Sequence, residues 1–212
     1  MRAFAFDTPG YGGSSPLADE ASIPGYAAQL VAAIEALGIE RTAVCGFATG
    51  SAVAVEVVRR LGARATHLIL SGTPVLSPAR FDAFGVRLGR PDRRADGTHL
   101  LQVWNSRVEN YGPGNDLDQV AMAVSETLRV YERMHWGLLA VQRYDLRAAL
   151  AALDLPTLFV TAAHDKLAPE NREAAALVRG AEEVFVADAQ PQLCWTDPSR
   201  FRDEVFRFAG IA

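Results

Sequence analysis

The sequence predicts an α/β fold, a mostly parallel sheet covered by helices, and three observations carry that expectation. Short apolar runs alternate with longer segments of helical period along most of the chain. Most of the runs are apolar at successive positions, as strands buried on both faces should be. One long segment, from about Pro74 to Leu153, breaks the rhythm with helical stretches alone.

The elements follow in order. Ala3 to Phe6 reads as a first strand. Ala27, Leu30, Val31, Ile34 and Leu37 recur at intervals of three and four, and Gly38 closes that helix. Ala43 to Phe47 is the next strand, Ala52 to Arg60 a helix and His67 to Leu70 a strand. Within the interrupting segment, Leu100 to Trp104 and Val120 to Trp136 are amphipathic, and Gly112-Pro113-Gly114-Asn115 supplies a break. Leu155-Pro156 leads back into the sheet at Thr157 to Val160. A helix over Asn171 to Arg179, a strand at Val184 to Val186 and a last helix over Ser199 to Phe208 complete the chain. The division expected is a core of residues 1–73 and 154–212 with a helical insertion at 74–153.

Composition narrows the function classes. The chain has 212 residues, 50% hydrophobic and 22% charged, within the range of one large globular domain. A formal charge of -4 provides no basic stripe for a phosphate backbone, so no nucleic acid is expected as a partner. No stretch approaches the ~20 apolar residues that span a bilayer, and the N-terminal run is too short for a signal peptide, so the expected place is the cytoplasm and not a membrane. Cys45 and Cys194 have no C-x-x-C spacing and read as buried thiols. His67, His99 and His135 lack metal-ligand spacing, so no metal or other cofactor is expected.

Four motifs in order resemble the α/β-hydrolase superfamily over essentially the whole chain. Phe6-Asp7-Thr8-Pro9-Gly10-Tyr11-Gly12-Gly13-Ser14 is similar to its D-x-P-G-x-G-x-S turn. Gly46-Phe47-Ala48-Thr49-Gly50 is similar to the G-x-S-x-G elbow, where a sharp strand-to-helix turn lifts a nucleophile into the site. Leu155 to Val160, followed by Asp165 and Pro169, resembles the strand and loop that present the catalytic acid. Asp197-Pro198-Ser199-Arg200-Phe201 resembles the opening of the final helix. The insertion at 74–153 then corresponds to the cap domain.

The same resemblance implies three losses. Ala48 stands at the nucleophile position, and a methyl group cannot attack a carbonyl. The base histidine belongs seven residues before the proline of D-P-x-x-F, where this chain has Pro191 between Gln190 and Gln192, neither of which titrates. The strand and H-G pair that supply half of the oxyanion hole belong before Met1, leaving the Thr49 N–H for the other half. Asp165, at the acid position, is what remains of the triad.

A strand that the family places between Ala3–Phe6 and Ala43–Phe47 is also missing. Its removal leaves two ladder spacings, roughly 10 Å, so residues 2 to 6 should either pair directly with 42 to 47 or form a poorly supported edge. Such an edge could be covered by a second copy, making a homo-oligomer. The sequence reads either as a truncated gene product or as a short chain in its own right.

Substitutes for Ala48 are poor. Centring the elbow on Thr49 puts Phe47 where a small residue is needed, Ser51 lies beyond the turn, and Cys45 lies in the strand. His164 adjoins Asp165 and reads as a surface-loop residue, since neighbours rarely pair in triad geometry. Asp165 itself reads either as the triad acid or as a loop acid near Pro169. His135 and Trp136 are candidates for the wall of a ligand pocket, with insertion core as the competing reading.

Three functions are weighed. The first is a relative that has lost serine hydrolysis and keeps a pocket for a small apolar molecule. The second is a hydrolase, lyase or cyclase that works without a serine acyl intermediate. The third, an alanine introduced to trap a ligand, predicts an intact histidine and is opposed by Pro191.

Overall fold

The computed structural model describes residues 2–88, 90–111 and 116–211. The break expected at Gly112 to Asn115 lies outside the described residues.

Four parallel strands form one sheet in the order β1 (Thr42–Phe47), β2 (Ala65–Ser71), β3 (Thr157–Ala162) and β4 (Glu182–Val186). Helix α1 (Ile23–Ala36) precedes β1, and α2 (Thr49–Leu61) joins β1 to β2. The Ser22 hydroxyl caps α1 by accepting from the Gly25 N–H at 3.2 Å, and Gly38 turns the chain out at φ 65°.

All the helices between β2 and β3 fall in the interrupting segment: α3 (Pro78–Leu88), α4 (Thr98–Tyr111), α5 (Leu117–Arg129), α6 (Trp136–Gln142) and α7 (Leu146–Ala151). The stretch Val120 to Trp136, expected as one helix, is two. Val130 leaves helical geometry at φ -113° and ψ 27°, a single 3-10 turn follows at Tyr131–Arg133, and α6 starts afresh. Beyond β3 come α8 (Ala168–Leu177), the short α9 (Leu193–Thr196) and α10 (Pro198–Ala209).

The sheet separates two apolar cores. On one face α1, α2 and α7 bury Tyr26, Val55, Val57, Leu150, Leu70 and Phe159 together. On the other, Ile69, Leu158, Val160 and Val186 meet Phe201, Val205 and Phe208 of α10. Helix α2 is buried along most of its length and carries one acid, Glu56. That acid is tied by Arg59 and Arg60, each at 2.9 Å, and by the Tyr144 hydroxyl at 3.0 Å.

Three expectations need correction. Ala3 to Phe6 is not a strand: residues 2–7 form no ladder, and Phe4 and Phe6 are exposed, so among the described residues β1 is the edge of the sheet. Among the described residues no strand lies alongside this segment to pair with its backbone groups. Burial on both faces holds for β3 but not for β1 or β4, which alternate between more and less buried positions. Cys45 and Cys194, read as buried, are both exposed, one at a less buried position of β1 and the other on α9.

Among the described residues no helix is long and apolar enough to cross a membrane.

Candidate active site

The turn from β1 into α2 keeps a strained shape although its centre is alanine. Ala48 has φ 50° and ψ -121°, a conformation that alanine rarely adopts, and its N–H extends the ladder to the Ser71 carbonyl at 3.0 Å. The flanking glycines contribute unequally. A Cβ on Gly46 would lie 2.3 Å from the Gly50 carbonyl oxygen and 2.8 Å from the Ala54 Cβ, whereas one on Gly50 would meet nothing within 4 Å. Only Gly46 is required by contact, because the first turn of α2 lies directly on it.

Of the two nearby hydroxyls, Ser51 is turned away from the cavity. Ser51 is fully buried, and its Oγ is within hydrogen-bonding reach of the Gly46 and Ser71 carbonyls at 3.0 and 2.9 Å, which holds it against the strands. Thr49 does face the cavity described below.

Asp165 sits in the loop between β3 and α8. Its carboxylate accepts the Leu167 N–H at 2.8 Å and also the Gln192 N–H. Burial pushes its pKa above the ordinary carboxylate value, and those two N–H groups oppose the rise. It lies at the C-terminal end of β2, since a Cβ on Gly72 would come within 3.6 Å of its Oδ2.

Where a base was sought, Pro191 is buried and Gln192 adopts the left-handed region at φ 60°, opening α9. That turn aims the Gln192 N–H at Asp165, so a backbone amide occupies the carboxylate where an imidazole was looked for. None of the four histidines hydrogen-bonds Asp165. His67 packs edge-on against Phe208, His99 against Tyr131, His164 is exposed, and His135 has its Nδ1 buried without a partner. Among the described residues no three His, Cys, Asp or Glu side chains cluster as a metal site.

A cavity of about 300 Å³ opens over the elbow. Its floor is Ala48, Thr49 and Gly50, with Thr8 and Tyr11 from the N-terminal turn at one side. Pro74 and Leu76 after β2, and Leu167 before α8, add apolar wall. The remaining wall is Arg107 from α4, and Met134, Gly137, Leu138 and Val141 in and before α6.

His135 and Trp136 are not among the residues that line it, so of the two readings, pocket wall and insertion core, Trp136 follows the second. The cavity face of α6 runs at helical spacing through Met134, Gly137, Leu138 and Val141, so the two residues between point elsewhere. Trp136 packs on the main core with the Arg133 guanidinium 5.9 Å from its ring centre.

The N-terminal turn is held from both ends. Asp7 accepts the Gly13 N–H at 2.9 Å, and a Cβ on Gly12 would lie 2.3 Å from the Asp7 carboxyl carbon. The Tyr11 hydroxyl donates to the Arg133 carbonyl at 3.1 Å and accepts from the Gly137 N–H at 2.9 Å. Sequence reasoning passed over Tyr11 and Arg107. For Arg107 a signal was present: it stands between Val103 and Tyr111 at intervals of four, on the buried stripe of α4.

Comparison with known proteins agrees with this architecture. Residues 1–198 match the family described as alpha/beta hydrolase fold. A hydrolase from Pseudomonas aeruginosa PA01 superposes with a TM-score of 0.78 at 22% identity, over 96% of this chain and 78% of that one. An enol-lactonase from Burkholderia xenovorans LB400 gives 0.77 at 22%, over 96% and 79%. An alpha/beta hydrolase enzyme from a Medee basin deep-sea metagenome library gives 0.79 at 18%, over 97% and 78%. No curated protein sequence matches. With the family matched over residues 1–198 and the parallel sheet, elbow turn and helical insertion all in place, the chain belongs to the alpha/beta hydrolase fold family.

Proposed function

We propose that this protein holds a small, mainly apolar molecule in the cavity over Ala48 and does not hydrolyse esters through a serine acyl-enzyme. One observation carries the reading: the elbow keeps its strained backbone at φ 50° beneath a roofed cavity, while its central side chain is a methyl group. In this reading residues 74–153 act as a cap over a core made of 1–73 and 154–212. Ala48 and Pro191 occupy vacated nucleophile and base positions, Thr49 keeps one oxyanion N–H, and Asp165 keeps the acid position.

The magnitudes favour binding over hydrolysis. Loss of either serine or histidine from a working triad costs about 10⁶ in kcat, and the two losses act as a unit. A retained pocket suffers no such penalty, since its walls and polar groups are independent of the nucleophile.

A second reading is supported by Asp165. A carboxylate offers about four lone-pair positions, and two N–H groups engage only some of them. Its raised pKa suits proton transfer without any covalent intermediate, and Leu167, whose N–H the carboxylate accepts, lines the cavity. The similar structures are described as hydrolases, esterases and a lactonase, which points the same way.

Hydrolysis of p-nitrophenyl acetate by the purified protein separates these readings. The binding reading expects the buffer rate, with no large gain in Ala48→Ser because Pro191 stands at the base position. A rate well above buffer that Asp165→Asn abolishes moves the conclusion to the second reading.

A further inference from the structure

Among the described residues the cavity over Ala48 is lined by one charged side chain, Arg107, and no ion pair compensates it. Arg107 is only partly exposed, and its Nε is buried with no hydrogen-bond partner. Among the described residues no carboxylate forms an ion pair with it. Glu109, on the same helix, is engaged by Lys166 at 3.7 Å, and Glu132 by Arg90 and Arg93. Burial pushes the guanidinium pKa down, with Tyr111 beside it pulling the other way.

A partly desolvated guanidinium whose Nε is buried without an acceptor is costly, and a ligand that supplies the acceptor offsets that cost on binding. The surroundings narrow what that is. The remaining wall is mostly apolar, from Leu76, Met134, Leu138, Val141 and Leu167, and the floor is the first turn of the 13-residue helix α2. Arg107 and Met134 also line a second, larger cleft of about 590 Å³, so they stand at the boundary between the two spaces.

We propose that the cavity selects a small molecule with an apolar body and a single carboxylate, and that Arg107 receives the carboxylate. The inference rests on the reading of this cavity as a small-molecule pocket. One guanidinium matches one negative charge, and its planar fork fits a carboxylate edge-on. The apolar walls take the rest of the ligand. Arg107 is thus a specificity-determining residue, and the protein discriminates an acid from its neutral amide of the same shape.

The test is calorimetric binding of phenylacetate and hexanoate, each beside its neutral amide, to the full chain and to Arg107→Met and Arg107→Lys. Carboxylates should bind the unaltered protein about tenfold or more tighter than their amides. Arg107→Met should remove that advantage, weakening carboxylate binding far more than amide binding, while Arg107→Lys keeps part of it. In the unliganded state Arg107→Met should also melt at a higher temperature, since an unpaired buried charge has gone.

Equal affinity for acid and amide, or an equal loss of both in Arg107→Met, overturns the carboxylate assignment and leaves the pocket standing. Phenyl phosphate binding more tightly than phenylacetate overturns it in favour of a phosphate. Failure of acids and amides alike to bind overturns both the assignment and the pocket reading. If Arg107→Met does not fold, the acid-to-amide ratio in the unaltered protein and in Arg107→Lys decides.

Discussion

The Tyr11 hydroxyl accepts the backbone N–H of Gly137 at 2.9 Å, which ties the N-terminal glycine-rich turn to the first turn of α6. The same oxygen donates to the Arg133 carbonyl, and the Arg133 Nε returns a bond to the Gly10 carbonyl at 3.1 Å. One phenol thus joins two sides of the cavity that lie 126 positions apart in sequence. Tyr11→Phe keeps the ring and leaves the buried Gly137 N–H without its acceptor. It should cost about 1–3 kcal/mol, measured as a lower urea midpoint at unchanged slope. An unaltered midpoint would mean that water or another acceptor replaces the phenol.

The two elbow glycines should respond oppositely to a methyl group. Gly46→Ala drives a Cβ into the Gly50 carbonyl and should destabilise by about 3 kcal/mol or more, because the obstacle is backbone. Gly50→Ala meets open space on a helix and should be neutral or stabilising by up to about 1 kcal/mol. Equal effects in chemical denaturation would contradict the packing of α2 on β1.

Stability should depend on pH through Asp165. Its folded pKa lies above the ordinary value of 3.8, so the native state holds the proton more tightly than the unfolded chain. The stabilisation from this group is complete below the unfolded value and is lost as pH rises through the folded one. Relative to Asp165→Asn, the unaltered protein should therefore lose stability from about pH 3.5 upward and level off above the folded value. A difference that stays flat or rises with pH would show that the N–H bonds from Leu167 and Gln192 outweigh burial.

Ligand contacts should follow the cavity face of α6 and not the most aromatic residues in it. Leu138→Phe narrows the cavity and should weaken phenylacetate binding about tenfold, measured calorimetrically, while His135→Ala should leave affinity within about threefold. The reverse order would restore His135 to the pocket wall.

Much of this architecture was legible before any coordinates. The runs at Ala43–Phe47, His67–Leu70, Thr157–Val160 and Val184–Val186 all lie in strands, because apolar β-rich segments between helical periods have few other ways to bury themselves. Ala3 to Phe6 has the same local character and forms no strand, since pairing depends on a neighbour that local sequence does not specify. The exposed thiols fail for the same reason: Cys45 has an apolar context along the chain but none across the sheet face it occupies.

The candidate site divides along the same line. Ala48 within its glycine frame, Asp165 after its strand and Pro191 before the last helices are positional facts, fixed by residue order and local turn chemistry. The sequence by itself determined the fold class, the strained elbow and the absence of a serine from its centre. Only the tertiary structure decided that Tyr11 closes one side of the cavity, that Gln192 turns its N–H onto Asp165, and that α6 presents Leu138 where His135 was expected. It also decided that Arg107 lines the cavity over the elbow with its Nε buried and, among the described residues, without an acceptor. The reason is physical: strand and turn formation are governed by neighbours along the chain, whereas a cavity wall and an uncompensated charge are properties of surfaces brought together from distant segments.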